Sequence, residues 1–133
     1  MKASACYSIP VYTASATPAD STTYYFGASG AGAATTGTSP VYPLKAGCIR
    51  GVSILMAGTA GTSEATAFSI VVSSPASTTT INAAVDCSVV PQQIRLSNVA
   101  IPVDEGANIQ IKFIAPAWVT NPIISFKGYL LMS

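Results

Sequence analysis

The side chains able to carry chemistry in this 133-residue chain are few. They are five carboxylates (Asp20, Glu64, Asp86, Asp104, Glu105), three cysteines (Cys6, Cys48, Cys87) and one tryptophan, Trp118; histidine is absent. Histidine is the commonest general base and a frequent metal ligand, so neither a Ser-His-Asp nor a Cys-His arrangement can be assembled. A glycosidase-like mechanism needs two carboxylates flanking a sugar. Asp104 and Glu105 are adjacent, but Val103 and Gly106 on either side make them a turn. The cysteines are widely spaced with no Cys-x-x-Cys, which argues against zinc, and the Asp-x-Asp-x-Asp calcium loop is missing. Three reduced cysteines buried as small apolar side chains are expected, with one disulfide plus a free thiol as the alternative. The chain therefore reads as a non-enzyme without catalytic residue, cofactor or metal.

Charge narrows the partners. Charged residues make up 8% of the chain, against about 25% in ordinary globular proteins. The six basic residues (Lys2, Lys45, Arg50, Arg95, Lys112, Lys127) are scattered, and the net charge is +1. Nucleic acid binding needs clustered cations to displace counterions, so no nucleic acid partner is expected. No run approaches the roughly 18 apolar residues of a membrane span, and no secretory leader is visible, so no membrane partner is expected either. A weakly charged, Ser/Thr-rich surface favours association, and a self-assembling protein is expected ahead of a monomer.

The elements that position these residues are short and β-prone. Apolar and polar residues alternate at 65–72, with Phe68, Ile70 and Val72 on one face, and at 108–114, with Ile109, Ile111 and Phe113 on one face. Run 48–56 places Val52, Ile54 and Met56 together and Ile49, Gly51, Ser53 and Leu55 opposite; Gly51 in mid-strand signals a bulge or a close backbone approach. Runs 48–56 and 65–72, joined by a glycine- and threonine-rich connector, read as a long-looped hairpin spanning 45–72, its connector at the surface against a neighbouring subunit. Run 78–87 puts Ile81, Ala83, Val85 and Cys87 on one side. Stretch 27–40 is glycine-rich but lacks the Gly-Lys-Ser/Thr of a phosphate loop, so it reads as a surface loop.

The last strand, 123–132, has Ile124, Phe126, Leu130 and Met132 on one face. Its other face is half apolar, which makes Ile123, Tyr129 and Leu131 the candidate subunit interface. Loop 116–122 is bounded by prolines. Its Trp118 is either a ligand-stacking residue, with Asn121 beside it as a candidate ligand loop, or a plug over the end of the sandwich.

No window sustains a helical period. About eight antiparallel strands with glycine and proline between them predict an all-β sandwich. A jelly roll is the expected topology; an immunoglobulin-like sandwich competes but lacks its Cys…Trp…Cys order. Residues 1–21 are expected as an N-terminal arm or edge segment and 22–133 as the β-sandwich domain.

Four stretches in order carry a resemblance: Lys45-Ala46-Gly47-Cys48-Ile49; Ala57-Gly58-Thr59-Ala60-Gly61-Thr62-Ser63-Glu64; Ile109-Gln110-Ile111-Lys112-Phe113; and Pro116-Ala117-Trp118-Val119-Thr120-Asn121-Pro122. Together, over about residues 20–132, they resemble a β-sandwich module of tailed-bacteriophage virion proteins, found as head-fibre or decoration proteins or as tail-fibre tips. The resemblance implies a homotrimeric, jelly-roll-like structural protein, made in the host cytoplasm and carried on the virion. Its partners would be copies of itself and other virion proteins such as the major capsid protein. The tail-fibre-tip version implies a receptor- or glycan-binding module facing a host-surface glycan, with residues 1–21 as a docking arm in the compact, head-attached version.

Overall fold

The computed structural model describes residues 6–28, 41–43 and 45–133. Most of the glycine-rich stretch 27–40 lies outside the described residues. Nine strands are described: β1 (Tyr7–Ala16), β2 (Thr23–Phe26), β3 (Gly47–Thr59), β4 (Ala65–Ser73), β5 (Ala76–Asp86), β6 (Gln92–Leu96), β7 (Ile101–Val103), β8 (Ile109–Ile114) and β9 (Ile123–Met132). Among the described residues there is no helix.

The strands form two antiparallel sheets packed as a β-sandwich. One has five strands, in the order β1-β9-β3-β6 with β7 also pairing with β3; the other has four, in the order β2-β8-β4-β5. Alternating residues point inward from both, so each sheet hides one face. From the four-stranded sheet come Phe26, Phe68, Ile70, Ile109, Ile111 and Phe113, and from the five-stranded sheet Ile49, Ile54, Met56, Ile94, Phe126 and Leu130, all at most 2% exposed. All four phenylalanines meet in one cluster across the layers: Phe126 lies 5.2 Å from Phe26, 5.3 Å from Phe68 and 5.1 Å from Phe113, ring centre to ring centre. Burying each ring contributes about 1.5–3 kcal/mol, and the aromatic geometry adds to that.

The segment expected as an arm or edge piece supplies β1, an edge strand bonded along β9 from Tyr7↔Met132 to Ala16↔Ile124. First and last strands are thus neighbours, and the described part of the N-terminal segment from Tyr7 to Ala16 is tied into the sheet.

The hairpin expected over 45–72 does not form. β3 and β4 lie in different sheets: β3 pairs with β9, β6 and β7, and β4 with β5 and β8. Period-two alternation specifies a strand with one packed face but not its partner, and connector 60–64 has none of the two-residue turns that close a hairpin. Instead the connector crosses between layers, held by Gly61 N–H to Cys87 C=O and Thr62 N–H to Thr120 C=O, both 3.0 Å.

Two irregularities move side chains from the faces that strict alternation assigns. In β3 the register passes from Ile49↔Met132 to Gly51↔Leu131, leaving Arg50 as the extra residue of a bulge. Ile49, expected on the outer face, therefore turns inward and is fully buried, while Arg50 faces solvent. In β5 the register shifts twice against Thr66–Ser69 of β4, and Ala83, expected with Ile81, Val85 and Cys87, is exposed. The turn expected at 104–107 is present, with Gly106 at φ 77° and an Ala107 N–H to Asp104 C=O bond of 3.1 Å.

Candidate functional site

The outer face of the five-stranded sheet is where unabsorbed chemistry collects. The β1–β9–β3–β6 registers align its outward side chains in cross-strand rows. One row runs Pro10–Tyr129–Ser53–Arg95, the next Tyr12–Lys127–Leu55–Gln93, and a third contains Ser8, Leu131 and Gly51. Tyr129 is 59% exposed, Tyr12 47%, Ile123 46% and Leu131 44%. The three candidate interface residues, Ile123, Tyr129 and Leu131, therefore share the outer face of β9 and are open to solvent.

A groove of about 760 Å³ opens between β3, β6 and the C-terminal end of β9. Arg50, Arg95, Ser53, Asn98, Tyr129 and Leu131 are among its lining residues, and no carboxylate lines it. Gly51 lies in the lining because nothing larger fits: a Cβ there would stand 2.9 Å from the Leu96 carbonyl oxygen. The wall made by 97–100 turns at Asn98, a left-handed residue with φ 58°, and Val99 N–H bonds the Arg50 carbonyl at 3.4 Å. Arg50 Nε donates to Ser133 Oγ at 2.5 Å, fixing its head group at one end of the groove. A smaller hollow of about 490 Å³ lies beside it over Gly128, lined by Tyr12, Leu55 and Lys127, and Tyr129 borders both.

Sequence reasoning did not bring Arg50 and Arg95 together. The available signal was Arg50 itself. Under strict alternation it falls on the same face as Val52, Ile54 and Met56, a conflict that a bulge at that position removes.

The corner holding the candidate ligand loop is built differently. Trp118 is 5% exposed and packs in a small cluster with Cys87, Ala115 and the partly buried Tyr24. Its ring presents no open platform. Asn121 Nδ2 donates to Pro18 C=O at 2.9 Å and to Asp20 Oδ1 at 2.8 Å, bracing loop 17–21. Both residues are committed to the chain's own loops. Glu64 Oε1 accepts from Thr62 Oγ1 (2.8 Å) and Val119 N–H (3.0 Å), and these bonds hold its carboxyl below the ordinary value of 4.5, the Thr62 bond most. Asp86 is likewise held below its ordinary 3.8 by the Ser88 hydroxyl and then the Ser88 N–H. Each of these two carboxylates is held by hydrogen bonds from loop residues.

Among the described residues no group of three or more His, Cys, Asp or Glu side chains is placed to hold a metal ion. The cysteines are free, but only Cys87 is fully buried; Cys48 is partly buried and Cys6 exposed, which corrects the expectation that all three are core residues. Cys87 sits 3.3 Å from Thr66 Oγ1.

A scan against protein-family models and searches of curated proteins and of solved structures return no match.

Proposed function

We propose that this chain is a non-enzymatic structural protein of a tailed-phage virion, a homotrimeric head-decoration or head-fibre-like component that contacts other virion proteins such as the major capsid protein. The carrying observation is the outer face of β9, where Ile123, Tyr129 and Leu131 stand open to solvent on a strand at the middle of a sheet. Such a face is stabilised when another surface covers it, and the weak overall charge leaves little repulsion to oppose that. The strand orders β1-β9-β3-β6 and β2-β8-β4-β5 support the jelly-roll reading, because the chain repeatedly crosses between layers and its first and last described strands are neighbours in one sheet. That topology is common in viral capsid and lectin domains. The ordered sequence resemblance supplies the virion context.

The test has two parts. Light scattering on the purified protein is expected to give three times the chain mass. Mass spectrometry of particles purified from the encoding virus is expected to find the chain in the virion. A monomer in solution together with its absence from particles would end this reading. The second reading, a receptor- or glycan-binding tail-fibre tip, is favoured by the groove beside β9; its binding residues move from Trp118 and Asn121 to that groove.

A further inference from the structure

We propose that the groove between β3, β6 and the end of β9 is a recognition site for a carboxylated saccharide. It rests on the glycan-binding reading, which it deepens by naming a carboxylated sugar, and it is independent of the assembly reading. The volume of about 760 Å³ lies within the range of small-ligand sites, roughly 300–1,000 Å³. Among the described residues Arg50 and Arg95 line it, and none of the five side-chain carboxylates does, so its field is uncompensated by the lining side chains. Both cations are arginines, whose planar fork binds carboxylate through paired N–H···O bonds. Arg95 stands opposite Ser53 in the β3–β6 ladder, and Arg50 lies three residues earlier on β3. Their backbones are therefore roughly 10 Å apart along the strand, a span over which a short sugar chain is held at two points.

The remaining lining suits the rest of a sugar. Ser8, Ser53, Ser97 and Asn98 offer hydroxyl and amide groups for ring hydroxyls, so the site needs nothing from Tyr129 and Leu131, which the assembly reading sets against a second copy. The bulge at Arg50 is what makes the site. Without the extra residue the arginine would point into the core, and without a glycine at 51 the lining would press on the β6 backbone.

The experiment is isothermal titration calorimetry of the assembled protein with a panel of carboxylated trisaccharides (galacturonic, glucuronic and sialic acid). Neutral galactotriose and inorganic sulfate serve as controls, and the mass of every sample is measured in parallel. At least one acidic trisaccharide is expected to bind, with neither control matching it. Arg95→Gln and Arg50→Gln should each weaken that binding about 10- to 100-fold at unchanged mass, as loss of a charge-assisted bond requires. Thr80→Ala on the other sheet should leave it unchanged.

Equal affinity for galactotriose, or for sulfate, would overturn the proposal, as would no binding by any acidic member at concentrations up to about 1 mM. If the arginine variants change the mass and leave saccharide binding intact, the groove serves a second copy instead and the proposal falls while the assembly reading stands. If the wild type is monomeric yet binds as described, the assembly reading falls and this one remains.

Discussion

The two outer faces of the sandwich differ far more than the two inner ones. The inner face of the four-stranded sheet is lined with Phe, Ile and Val, and that of the five-stranded sheet with Ile, Val, Met, Leu and Phe, as a shared core demands. The outer face of the four-stranded sheet is a small polar surface, with Thr80 opposite Ser69, Ser69 opposite Lys112, and Thr78 opposite Val71; Ile114 at its margin is its largest exposed apolar side chain among the described residues. The outer face of the five-stranded sheet carries Tyr12, Tyr129, Leu131 and Ile123 together with Arg50, Arg95 and Lys127. Folding needs only that an outer face tolerate water, and the first face does that mostly with threonine and serine, with the half-buried Tyr25 opposite Lys112 its one aromatic–cation pair among the described residues. The second face concentrates exposed aromatic and cationic side chains that add nothing to the core, and this is the ground for proposing a partner there.

The comparison rests on equivalent inner faces, and the largest effects test that premise. Phe113→Ala from one sheet and Phe126→Ala from the other should each lower stability by about 3–5 kcal/mol in urea unfolding. A loss below about 1 kcal/mol at either site would mean that the layers do not share one core. Trp118→Ala belongs to the same class, at about 3–5 kcal/mol, because the ring is a buried anchor. If it instead left stability untouched and abolished ligand binding, the candidate site would return to loop 116–122. Asn121→Ala removes two hydrogen bonds to loop 17–21 and should cost about 1–2 kcal/mol, again without affecting saccharide binding.

Glu64 sharpens the contrast through pH. Its carboxyl is depressed in the folded chain, so the unfolded chain binds more protons as the pH falls. The stabilisation is fully present above the ordinary value of 4.5 and is lost as the pH falls through the lower folded value. Urea midpoints should therefore decline as the pH falls below the ordinary value of 4.5, and Glu64→Gln should flatten part of that decline. An unchanged slope in the variant would contradict the role given to the Thr62 and Val119 bonds. The smallest effect belongs to the outer face of the four-stranded sheet, where Thr80→Asp should change stability by no more than about 0.5 kcal/mol.

Much of the fold was legible in the sequence because a period of two is a local signal. The inward sets Phe68-Ile70-Val72, Ile109-Ile111-Phe113 and Ile124-Phe126-Leu130-Met132 could be read from alternation and are buried. Partner choice was not legible: nothing in 45–72 says that β3 will zip to β9 and leave β4 to the other layer. Bulges were only partly legible. Gly51 marked the irregular position, but the extra residue, Arg50, is defined by the register of β9 across from it. The candidate site inherits that limit. Tyr129, Leu131 and Ile123 were visible as a half-apolar strand face, whereas the arginine groove exists only after β3–β6 pairing joins residues distant in sequence.

The central claim is that one outer face is built for a partner and the other for water. Light scattering on three proteins tests it most directly: the wild type, a Tyr129→Asp/Leu131→Asp variant and a Val71→Asp/Thr80→Asp variant. The account predicts a trimer for the wild type and for the Val71/Thr80 variant, and a folded monomer for the Tyr129/Leu131 variant. A wild-type monomer, or one mass shared by all three proteins, would contradict it.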